Sequence, residues 1–175
     1  MQRVIAGFRP DDEGDWVAEL SCGHDQHVRH RPPFQLRPWV VGAEGRAARI
    51  GAALDCPLCD RMELPTAVRL VRSGPEWDEH TLPAGLQRAH RLAGTTWGRL
   101  VVHGGRLGFT ATTDPPVAIV LDAGSTQAIP PDVLHEVRPI GPVRVSIDFL
   151  SVAGRRVIGG RPGDPVPAVT NGTAT

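Results

Sequence analysis

Two short knuckles constrain this chain more than any other feature: Cys22-Gly23-His24 and, after a 31-residue gap, Cys56-Pro57-Leu58-Cys59. A C-x-x-C segment puts two sulfurs on one tight turn, and C-x-H can put a third sulfur and an imidazole on another. Thiolate and imidazole are the donors that Zn2+ takes in a closed, four-coordinate structural site. Cys22, His24, Cys56 and Cys59 are therefore expected to hold a structural Zn2+. His27 and His30 lie close by, and strand alternation puts His27 on the opposite face from His24 and His30. His24 shares the turn of Cys22, and His27 is the alternative ligand. A segment this short has little core of its own, so metal binding would supply folding free energy.

The three cysteines are too few, and odd in number, for a secreted disulfide scaffold. The opening stretch MQRVIAGFRPDDEGDW carries acids early and has no apolar h-region, and no apolar run approaches the ~18 residues of a membrane span. These features predict a cytoplasmic protein with no membrane partner. All nineteen cations are arginine, and nineteen acids balance them. With zero net charge and no dense basic stripe, the composition argues against nucleic acid as a partner.

Residues 2–8 and 16–21 alternate apolar and polar side chains around the turn-rich RPDDEGD, which predicts a β-hairpin. A further strand is expected at 26–30, and prolines make the RPPFQLRPWVVG stretch extended. Ala47, Ile50 and Leu54 recur at helical spacing, predicting a helix over 44–54 that ends just before Cys56. From Leu64 onward short apolar runs alternate with Gly, Pro and Asp turns: 66–72, 80–83, 97–103, 106–112, 117–122, 126–129, 135–138 and 143–150. Such spacing predicts an antiparallel barrel or jelly roll. The expected fold class is mainly β: a zinc-binding α+β module over 1–62, a β-barrel over 63–154, and a disordered tail over 155–175 rich in Gly, Pro, Thr and Val.

Two resemblances attach to these stretches. DEGDWVAELSCGHDQHVRHRPPFQLRPWV with GRAARIGAALDCPLC resembles a small bacterial domain family of unknown function, marked by CGHxQHxRHxPP and a later C-x-x-C. That likeness covers about residues 1–62 and implies no activity. The Gln26, His27, Arg29 and His30 cluster is denser than a structural zinc site needs, which leaves room for an anion-binding surface beside supporting roles at the metal. LPAGLQRAHRLAGTTWGRLVVHGGRLGF, IPPDVLHEVRP and VSIDF are similar to the cupin-like domain of tellurite-resistance proteins, over roughly 65–152.

A cupin-like barrel of that kind directs imidazoles and a carboxylate into its mouth around a divalent metal. The resemblance puts His90 and His135 there. Asp148 lies between Ile147 and Phe149, and if those two pack outward it points into the cavity as the acidic ligand. The expected set is His90, His135 and Asp148 with a second divalent ion, Zn, Fe, Mn or Ni. Only His90 stands where metal cupins carry H-x-H and a following Glu. His103 is a substitute ligand or an exposed strand-end histidine, and Trp97 is expected as a wall of the mouth. The leading expectation is a metal-binding, cupin-like protein that takes a small molecule or oxyanion in the barrel mouth, with a homodimer through the barrel. The alternatives are a cupin metalloenzyme of dioxygenase or isomerase type and a regulatory or interaction protein acting through the zinc module.

Overall fold

Ten strands and very little helix make up the protein, whose computed structural model describes residues 1–92 and 94–152. The predicted tail over 155–175 lies outside the described residues. The predicted hairpin is present as β1 (Gln2–Pro10) and β2 (Trp16–Leu20). In the turn between them, Asp11 accepts from the backbone N–H groups of Glu13 and Asp15. With β3 (Asp25–His27) and β4 (Ala53–Asp55) they form an antiparallel sheet in the order β3-β2-β1-β4.

The helix expected over 44–54 is much shorter. A 3-10 turn, Pro38–Val40, leads into α1 (Ala43–Ala47), and Gly51 then reverses the chain at φ +85°. Leu54 instead lies in β4, opposite Arg3 of β1. Sheet pairing far along the chain outweighs the local helical spacing, which two glycines already weaken. The short helix α2 (Pro57–Asp60) starts at Cys56 and carries Cys59.

The second sheet holds β5 (Val68–Ser73), β6 (Trp77–Asp78), β7 (Thr96–Ala111), β8 (Val117–Asp122), β9 (Thr126–Ile129) and β10 (His135–Val152). Its main path runs β5-β10-β7-β8, with β6 on β10 and β9 on β7. Two expected breaks between strands are absent. The runs 97–103 and 106–112 are one strand, β7, and 135–138 and 143–150 are one strand, β10. Gly104 and Gly105 pair with Arg144 and Val143 at a double bulge in the β7–β10 ladder, between irregularities at Pro139 to Val143 and at Arg144 to Val145. The run 80–83 forms turns rather than a strand. The bulge curls the sheet, so Leu100 and Val102 of one half of β7 share a core with Leu107 and Phe109 of the other.

A second core lies between the two sheets. It joins Ile5, Leu20, Val28 and Val40 of the first module to Trp97 and Leu150 of the curled sheet. No helix among the described residues is long and apolar enough to cross a membrane.

Candidate metal centre

The first sheet and α2 bring four donors to one point. Cys22 and His24 leave β2 on a turn closed by hydrogen bonds from Leu20 N–H to His24 O and Gly23 N–H to Leu20 O. Cys56 follows β4, and its N–H donates to Met1 O. Cys59 sits one turn into α2. All four side chains are buried and their donor atoms lie within 4.8 Å of one another.

The edge lengths test which ion such a set fits. Tetrahedral zinc, with Zn–S about 2.3 Å and Zn–N about 2.05 Å, sets S···S edges of about 3.8 Å and S···N edges of about 3.5 Å. Here the Cys22 and Cys56 sulfurs are 3.8 Å apart. His24 Nδ1 stands 3.5, 3.3 and 3.6 Å from the sulfurs of Cys22, Cys56 and Cys59. The set can therefore hold a metal such as zinc, through Nδ1 of His24.

The clustered donors also control one another's protonation. Burial opposes charge on His24, but contacts with Cys22 and Cys56 outweigh it and raise its pKa to about 9. Contacts from Cys22 and Cys59 hold the Cys56 thiol far below its ordinary value, and the Cys59 thiol is held far above by Cys22, Cys56 and burial. Three packed thiols cannot all ionise beside one imidazolium, whereas a divalent cation among them removes the repulsion. His27, the alternative ligand, lies elsewhere. Its Nε2 meets Asp11 Oδ2 at 2.9 Å on an exposed face. His30 Nδ1 accepts from Arg37 N–H at 3.1 Å and so anchors the following loop.

Trp97 is a member of this centre that the sequence did not assign to it. It is fully buried, its indole Nε1–H donates to Cys22 O at 2.7 Å, and its ring meets the His24 imidazole edge-on at 5.5 Å. It is not a wall of a barrel mouth. A tryptophan beginning a strand signals a large buried ring, but nothing in the sequence says which core receives it.

In the curled sheet, His90 and His135 come together while Asp148 does not join them. His90 and His135 form an isolated antiparallel bridge, each backbone N–H donating to the other's carbonyl at 2.9 Å. Their ring centroids are 4.2 Å apart. Each Nδ1–H donates to a carbonyl two residues back, Arg88 O at 2.9 Å and Val133 O at 2.8 Å. A carbonyl only accepts, so both rings carry a proton on Nδ1, and a neutral ring so held presents a lone pair on Nε2. His90 Nε2 is buried with no hydrogen-bond partner. Burial lowers the His135 pKa to about 4, with His90 adding to the effect against the Val133 contact.

Asp148 points the other way. Ile147 is in the core opposite Leu100, so Asp148 faces outward on β10, between Arg99 of β7 and Ser73 of β5. Arg99 donates to it at 2.6 and 3.1 Å, and the Ser73 hydroxyl at 2.6 Å. Ile147 packs inward, so the condition that would turn Asp148 into the cavity is not met, and one residue decides the face of a strand. The carboxylate's charge is met by arginine, so it needs no metal. His103 donates or accepts with Ser146 Oγ at 2.8 Å and is not near the other two histidines in the ladder.

Two family models match the chain. Residues 6–63 match the model described as protein of unknown function (DUF3565), and residues 72–147 match the TehB-like domain. Among solved structures, one similar protein is from E. coli (strain K12), at 27% identity, 51% of this chain, 96% of that chain and a TM-score of 0.48. Another is TehB from Haemophilus influenzae, at 22% identity, 50% of this chain and a TM-score of 0.46. The match covers 32% of that TehB chain. A comparison with curated proteins finds no match.

Proposed function

We propose that this is a metal-binding protein of the tellurite-resistance-like kind, with a structural zinc in a module of residues 1–62 and a ligand-binding, cupin-like sheet over 63–154. The observation that carries the zinc is the agreement of four donor-to-donor distances with one tetrahedron. Zinc there closes the first module, which has α2 and short strands but little interior of its own.

His90 and His135 supply the ligand site. Their Nε2 lone pairs repel an anion, so an oxyanion would not bind them directly. A divalent cation suits them. The two rings are close enough, with centroids 4.2 Å apart, that they would hold such an ion between them. With no acidic side chain completing the set, positions on that ion would stay open for a small molecule or oxyanion. Bound iron or manganese would favour a metalloenzyme, and zinc a binding protein.

Metal analysis of the intact chain tests both sites at once. We expect two equivalents of metal in the wild type. Cys56→Ser should remove the zinc equivalent, and His135→Ala or His90→Ala the other, while Asp148→Asn removes neither. Full zinc content in Cys56→Ser would overturn the first assignment. A single equivalent in the wild type after reconstitution with zinc, iron(II), manganese and nickel would overturn the second.

A further inference from the structure

A groove of about 360 Å³ lies on the first module, lined by Gln26, His27, Arg29, Phe34, Leu36 and Arg37 among others. Its outer lip is a short loop. Arg31 and Gln35 bridge its ends with paired backbone hydrogen bonds of 2.9 and 3.0 Å, and Pro32-Pro33 stiffens the span between them. At its tip Phe34 is 93% exposed, and Leu36 next to it is 70% exposed. A phenyl ring held out on a braced loop offers a flat face to a ligand and has no role in either core.

The polar wall carries two further demands. Gln26 is part of that wall, and its Oε1 is buried with no hydrogen-bond partner. Arg37 forms no ion pair among the described residues, although Arg29 and Arg31 are held by Asp15 and His27 by Asp11. Arg37 is therefore the cation of the groove left without an acid among the described residues.

We infer that this groove binds a nucleotide unit, either free or within a single strand. The base would stack on Phe34 and the phosphate would sit at Arg37. Each requirement excludes a simpler ligand. Inorganic phosphate cannot use Phe34, and an apolar molecule cannot use Arg37. Base stacking on an aromatic side chain with a cation on the backbone is how single strands are commonly held.

The test uses the full, zinc-loaded chain, titrated with AMP, adenosine, inorganic phosphate and a labelled oligoadenylate of about eight nucleotides, within the site size of such binders. AMP should bind more tightly than adenosine or phosphate. Phe34→Ala and Arg37→Ala should each weaken AMP binding about tenfold or more. Phe34 is exposed and Arg37 unpaired, so both variants should keep wild-type zinc content and melting temperature. A log–log salt slope near −0.7 per phosphate contacted is expected. Tighter binding of the oligoadenylate than AMP, with a steeper slope, would assign the groove to a single strand. Equal binding with one slope would assign it to the free nucleotide. No AMP or oligoadenylate binding at millimolar concentration would overturn the inference. So would phosphate binding as tightly as AMP with Phe34→Ala unaffected, or binding of an acidic aromatic peptide in place of AMP.

Discussion

Trp97→Phe removes one hydrogen bond and part of one ring, and it should affect the zinc module although residue 97 belongs to the other sheet. Phenylalanine keeps an aromatic edge near His24 but strands Cys22 O, whose donor is the Trp97 indole at 2.7 Å. A buried carbonyl left without its partner costs about 1–3 kcal/mol. The smaller ring leaves a void in a site with no exposure, adding about 1 kcal/mol. A total of about 2–4 kcal/mol should lower Tm by roughly 5–15 °C for a chain of this size. Zinc release carries the specific signal. Groups that hold ligands in place typically tune metal affinity by about 10- to 100-fold, so transfer of zinc to a chromophoric chelator well below Tm should speed up about tenfold. Leu107→Ala is the control. It sits in the other core and should cost a comparable 2–5 kcal/mol, roughly, without changing zinc release. Equal release rates from Trp97→Phe and the wild type would refute the coupling, whatever happened to Tm.

Two further outcomes follow from the curled sheet. The Ser73 hydroxyl and Arg99 hold the Asp148 carboxyl below its ordinary value, so its stabilisation is present above the unfolded-state pKa of about 3.9 and is lost as pH falls through the lower folded value. Asp148→Asn should cost about 1–2 kcal/mol at neutral pH, and acid titration of stability should show a smaller loss in the variant below about pH 4; identical acid curves would refute it. At the bulge, Gly105 has φ +72° and an added Cβ would lie 1.9 Å from Pro142 O, whereas one at Gly104 would meet only the Arg144 side chain at 3.5 Å. Gly105→Ala should cost at least about 2 kcal/mol and Gly104→Ala less than about 1 kcal/mol, and equal denaturant midpoints would count against that reading.

Much of the mainly-β character was legible because alternation is a local property. The hairpin of residues 2–20, the strands over 117–122 and 126–129, and the turn residues between them could be read without knowing their partners. The runs flanking Gly104-Gly105 could not, since a glycine pair reads the same way in a hairpin and in a bulge. What separates them is whether another strand runs alongside, and β10 does so across the whole of β7. The helix over 44–54 failed for a related reason: Leu54 satisfies helical spacing equally well as a strand residue beside β1.

The chemistry of the metal donors was written in the sequence. Thiolate and imidazole residue types at C-x-H and C-x-x-C spacing can meet only on tight turns, so Cys22, His24, Cys56 and Cys59 could be named together before any fold was known. Face and partner were not determined in the same way. Asp148 and Ile147 exchange inside and outside with a single residue of register, and only the packed sheet puts Ile147 against Leu100 and Asp148 against Arg99. Trp97 could have belonged to either core, and only the docking of the two sheets brings its indole to Cys22 and His24. Local spacing decides which donors can converge, whereas burial and pairing depend on contacts between residues far apart in the chain, and those exist only once both sheets have closed on their shared core.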